Sequence, residues 1–332
     1  MNLPGRPAPS CFVRALPVLF IGLGWAISSP ALAAGDAFLS AIYAVTNAES
    51  RVAQFDRFGN LLRDYPVPFL AASIDVDQEG NVYVVNQVLL GPSTGNFIRK
   101  YSPTGASLGV LAQSGLESFW LGLNVTADGT IFFGVNGLTD TIARLPSSGG
   151  TPETFATISG AAPGAPFAVE FDSQGRLYAL DDDAIERFSV SGASLGVFAT
   201  TPVSPSHGFI TDLAIDGDDN VYATTFNSRL VKYGPDGALI YSAPLAAGVR
   251  YVDVDRADVL YVAGVDVGVG VSKFIQRIDS SDGSFLGNFA TVPGAIFGIA
   301  IYDPVPEPSS ILLAGLGVVA SVGLVAKRRR DP

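Results

Sequence analysis

From about residue 38 to residue 303 the chain alternates apolar and polar positions in short runs, with no sustained helical period between its termini. One pattern recurs in IDVDQEGNVYV (Ile74 to Val84), LNVTADGTIFF (Leu123 to Phe133), VEFDSQGRLYA (Val169 to Ala179), LAIDGDDNVYA (Leu213 to Ala223) and VDVDRADVLYV (Val252 to Val262). Each copy alternates, breaks at a turn and resumes with an aromatic residue, which predicts two antiparallel strands joined by a tight loop. A glycine-centred turn interleaves with it at Gly59, Gly105, Gly149, Gly192, Gly237 and Gly283, at spacings of 46, 44, 43, 45 and 46 residues. Such periods belong to propeller blades of four strands.

There are six glycine turns but five complete copies of the first pattern. The sixth is divided between the termini: Gly298-Ile299-Ala300-Ile301 matches its start, and Ala41-Ile42-Tyr43-Ala44-Val45 its second strand. The expected fold is therefore all-β, a six-bladed β-propeller closed by a blade shared between the two termini, which removes the exposed sheet edges. The repeats resemble those of the NHL family of six-bladed propellers (NHL/TolB-like), which read like G-I-A-V-D-x-x-G-N-V-Y-V. Asp219 and Asp258 stand at the glycine position of two copies, and Thr126 at the aspartate position of another.

The two ends read differently. Residues 1–33 carry Arg6 and Arg14, no acid, an apolar run around Leu16 to Ile27, and the small residues Ala31 and Ala33, a signal peptide cut after Ala33. Cys11, the single cysteine, would leave with it, so the mature chain has no thiol for disulfides or metal. Residues 34–304 form the propeller, and 305–332 a tail. The tail runs Val305-Pro306-Glu307-Pro308, an uncharged stretch at 309–326, then Lys327, Arg328, Arg329 and Arg330. At about 1.5 Å per residue that stretch makes a helix of roughly 27 Å, enough to cross a bilayer once, with the basic end cytoplasmic. The tail resembles the PEP-CTERM sorting signal of Gram-negative bacteria. That resemblance implies an exported protein, held transiently at the membrane by the helix. It further implies an exosortase-type enzyme that cuts at the motif, and delivery to the periplasm, outer surface or exopolysaccharide matrix.

The terminal segments hold six of the 20 basic residues and two of the 31 acidic ones, which leaves 14 against 29 and a propeller near −15. Nucleic acid is a poor partner for such a surface. Divalent cations, basic surfaces and neutral glycans suit it better, and a monomer is expected.

Catalytic motifs are missing. His207 is the single histidine, so no histidine cluster can form, and no nucleophile elbow accompanies it. Gly264, Gly268 and Gly270 lack the Lys-Ser/Thr ending of a phosphate loop. One constellation stands out. Aligning the repeats places Asp75, Asn124, Glu170, Ala214, Asp253 and Ala300 at equivalent positions of the innermost strands, opposite in phase to apolar neighbours, and hence facing the central channel. Asp75, Asn124, Glu170 and Asp253 are thus candidate oxygen ligands for calcium or magnesium. They are similar in type to the axial set of gluconolactonase-type propellers. Asp77, Asp172, Asp216 and Asp255 open the tight loops and are expected to cap them through backbone N–H groups. Three functions fit: an extracytoplasmic module binding a glycan or an envelope protein, a metal-dependent lactonase or lyase, and a structural surface protein.

Overall fold

The computed structural model describes residues 41–46, 50–68, 70–88, 94–115, 117–158, 166–181, 183–201, 208–264, 274–292 and 294–303. The signal peptide, His207, Gly268, Gly270 and the whole tail lie outside them. The described chain is 24 strands in six four-stranded antiparallel sheets, a six-bladed propeller. The innermost strands are Leu70–Val76, Phe119–Val125, Val169–Phe171, Ile210–Ile215, Val249–Val254 and Ile296–Tyr302, of blades I to VI in that order. Every innermost strand runs from one end of the ring, the mouth, to the other, the turn end, where the tight loops lie.

Blade VI is the shared one. Its innermost strand comes from the C-terminal side and its next strand, Ala41–Thr46, from the N-terminal side, in register from Ala41 opposite Tyr302 to Val45 opposite Gly298. Both described ends of the chain therefore emerge at the turn end. All six residues of Ala41–Thr46 are buried, because this strand is sandwiched within its own blade and between neighbouring ones.

The spacing of the glycine turns has a packing cause. Gly59, Gly105, Gly149, Gly192, Gly237 and Gly283 all have φ between +78° and +86°. A side chain on Gly59, Gly192 or Gly237 would strike the carbonyl of Phe289, Phe155 or Phe198 on the preceding blade at 2.0 to 2.4 Å. One glycine per repeat thus meets both the left-handed turn and the close approach of two blades. In the other loops Asp219 and Asp258, standing for glycine, adopt φ of 62° and 58°, a conformation Asp tolerates better than most residues. Gly264 ends the strand Val259–Gly264, where a Cβ would lie 2.0 Å from the Gly248 carbonyl; it serves strand contact, not a phosphate.

Turn capping by the loop aspartates is observed. Asp77 Oδ1 accepts from the N–H of Glu79 and Asn81, and Asp172, Asp216 and Asp255 repeat the arrangement with Gln174, Asp218 and Ala257. Tyr83, Tyr178 and Tyr222 donate their hydroxyls to the Oδ2 atoms of Asp77, Asp172 and Asp216, at 2.9, 3.1 and 2.9 Å. The recurring aromatic residue of the pattern is thereby tied to the loop it follows. In the copy headed by Thr126, Asp128 takes over, accepting the Thr130 N–H at 3.0 Å.

Candidate functional site

The innermost strands surround a cavity of about 150 Å³ on the propeller axis, and Asp75, Asn124, Glu170 and Asp253 all line it. Ala214 and Ala300 do not; both are packed into the blades. The cavity is ringed a second time by Ser73, Gly122, Ala168, Asp212, Tyr251 and Gly298. All six stand two residues before the aligned positions, as the period of a strand requires. Asp212 is the carboxylate that alignment on the first ring misses.

Three of the carboxylates clasp neighbouring blades. Asp75 accepts from its own Val76 N–H at 2.7 Å and from Val125 N–H of blade II at 2.6 Å. Asp253 does the same with Val254 and with Ile301 of blade VI, at 2.7 Å each, and Asp212 accepts from Val252 of blade V at 3.0 Å. Glu170 is held by a side chain instead, the Asn124 amide, which donates to Oε2 at 2.9 Å. These acids are enclosed by protein yet half-buried, each keeping a face on the cavity. Loss of bulk water pushes the carboxyls of Asp75 and Asp253 up to about 7, against the pull of their backbone donors. Burial, with the fields of Asp253, Asp75 and Asp212 behind it, raises Glu170 well above the ordinary range, and burial likewise raises Asp212.

The expected metal set shares a cavity without converging. Both oxygens of Asp75 and of Asp253 point into backbone N–H groups. Among the described residues no group of three or more acidic, histidine or cysteine side chains stands close enough to hold one ion. As arranged, the donor set does not fit a calcium or magnesium ion.

The mouth of the channel holds a feature the sequence reading did not find. A second cavity, about 200 Å³, opens there between Leu121, Phe167, Phe209, Thr211, Phe226, Arg250 and Tyr251, and shares Ala72, Gly122, Phe167 and Tyr251 with the axial one. Phe167 stacks on Phe209 with ring centroids 6.3 Å apart, and Phe226 lies tilted against Phe209 with centroids 4.8 Å apart. Each of the three rings is about 40 % exposed, at 41, 39 and 45 %, far more than an aromatic in a core retains. The guanidinium of Arg250 lies 3.7 Å from the Phe226 ring centroid. Phe167 and Phe209 come just before two innermost strands, Phe226 from the turn after the strand Val221–Thr225, and Arg250 from blade V.

Comparison with known proteins agrees with this architecture. Residues 304–330 match the PEP-CTERM protein-sorting motif, which implies export to the cell envelope or beyond and processing by an exosortase-type enzyme. No curated protein matches the chain. Among solved structures, the chain is similar to a protein of unknown function from Bacteroides caccae, with TM-score 0.61 and 13 % identity over 79 % of this chain and 98 % of that one. It is similar to the WD40 β-propeller domain of Doa1, with TM-score 0.54 and 9 % identity over 78 % and 82 %. It is also similar to a gluconolactonase from Xanthomonas campestris, with TM-score 0.50 and 17 % identity over 69 % and 83 %. At these identities the likeness is one of fold. The chain is an exported all-β six-bladed propeller carrying a PEP-CTERM tail.

Proposed function

We propose that the propeller is an extracytoplasmic binding module of a Gram-negative envelope or matrix, and that its ligand, a glycan, seats on the aromatic mouth of the channel. The observation that carries this reading is the cluster of Phe167, Phe209 and Phe226, in contact with one another, over a cavity that continues into the polar channel. Exposed, mutually ordered rings present flat apolar faces, which suit the C–H faces of sugar rings. The hydroxyls of such a ring would meet Asn124, Ser73 and the carboxyls below. The mouth lies at the end of the ring opposite Tyr302, where the last described strand ends. The lactonase reading needs a cation on Asp75, Asn124, Glu170 and Asp253, and the backbone N–H groups that occupy both oxygens of Asp75 and of Asp253 oppose it.

Binding of the purified full chain to a glycan array, repeated with Phe209→Ala, tests the reading. At least one glycan is expected to bind and to weaken tenfold or more in the variant. An array that stays blank, or binding that Phe209→Ala leaves unchanged, contradicts it.

A further inference from the structure

Arg250 is the one basic residue lining either cavity of the described residues, in a propeller whose charge is strongly negative. It is fixed at both ends by blade IV. Its carbonyl accepts the hydroxyls of Thr211 at 2.7 Å and of Thr224 at 2.6 Å, and its Nη1 donates to the Phe226 carbonyl at 2.9 Å while the guanidinium stacks on the same residue's ring. Among the described residues no carboxylate stands within ion-pair distance of it, whereas Arg51, Arg144 and Arg176 each have one. The guanidinium is thus held rigid at the rim of an aromatic cavity, with its Nε and Nη2 edge not committed to a described acceptor. A planar fork held this way suits a carboxylate, which takes two parallel N–H bonds. The rings beside it suit an attached cyclic body.

We propose that the mouth selects a ring that carries a carboxylate, a sugar acid of the uronic type, with the acid group on Arg250 and the ring against Phe167 and Phe209. This rests on the reading of the mouth as a glycan site and adds the class of sugar. A purely structural Arg250, one that only ties blade V to blade IV, would affect stability and not discriminate between ligands.

The test is calorimetric titration of the full chain, purified in detergent, with trigalacturonate and with its methyl ester, which keeps the rings and removes the charge. The parent is expected to bind the acid at least tenfold more tightly than the ester. Arg250→Gln is expected to bring the two to equal affinity, and Phe209→Ala to weaken both. Should Arg250→Gln unfold the chain, the acid-to-ester ratio of the parent still decides. Equal affinity of acid and ester, lost in Phe209→Ala, overturns the charge selection and leaves the mouth as a glycan site. If neither binds while the array is positive, the uronic class alone is wrong; if the array is also blank, both readings fall.

Discussion

A chain that stops at Val292 is expected to lose its cooperative thermal transition, whereas one that stops at Asp303 keeps it. The difference between them is essentially the strand Ile296–Tyr302, which closes the ring by pairing with Ala41–Thr46. Removing it takes away Ile296, Ile299 and Ala300, all buried. It also uncovers Tyr43 and Val45, now 1 % and 0 % exposed. A fully buried aliphatic or aromatic side chain is worth about 1.5–3 kcal/mol. Three or four of them approach the roughly 5–15 kcal/mol by which a domain is stable at all. Asp253 would in addition lose the Ile301 N–H that now satisfies one of its oxygens. Melting followed by circular dichroism checks this. Two chains that melt within a few degrees of each other would show that the ring does not depend on its shared blade.

The second large effect is one of pH. The propeller is expected to melt at lower temperature as pH rises from 5 to 8, by about 10 °C or more. Asp75 and Asp253 have carboxyls raised from 3.8 to about 7 in the folded chain, and Asp212 and Glu170 are raised as well. An acid whose folded pKa lies above its unfolded one binds its proton more tightly when folded. Its stabilising contribution is complete below the unfolded value and is lost as pH climbs through the folded value. Between pH 5 and pH 8 the loss for a shift of this size is on the order of 2–3 kcal/mol per group, and about 1 kcal/mol moves the melting point by about 2–4 °C in a domain of this size. Acids with lowered values, among them Asp56, Asp128 and Asp279, act in the opposite sense but titrate below this window. Asp253→Asn, which cannot ionise, is expected to flatten the profile. A melting temperature that rises steadily from pH 5 to pH 8 would refute the assignment.

Much of the fold was legible because it is periodic. The glycine spacing, the alternation around each tight loop and the motif divided between residues 298–301 and 41–45 each have one local cause, repeated six times. Asp219 and Asp258 show why the degenerate copies still fold: the position requires a left-handed backbone, and aspartate can supply one. The axial acids were legible for the same reason, since strand phase alone directs Asp75, Asn124, Glu170 and Asp253 to the channel. What they do there was not. Whether a carboxylate holds an ion or a neighbouring blade depends on which backbone N–H faces it, and Val125 and Ile301 lie 50 and 48 residues away from the acids they meet. Asp212 was passed over because Ala214 fills the aligned position and a bulge between Ile210 and Asp212 obscures the register. The mouth had no linear signal at all: Phe167, Phe209, Phe226 and Arg250 come from separate segments and three different blades or their approaches, and they become a site only when the ring closes.

That the working face is the mouth, and not the acidic turn end, is open to direct observation by hydrogen exchange of the full chain with and without a glycan that it binds. Slowed exchange is expected at Phe209 to Thr211, at Phe226 and at Arg250, with the loops at 77–81 and 216–220 unchanged. Protection of those loops, with the mouth exchanging as before, would contradict the account.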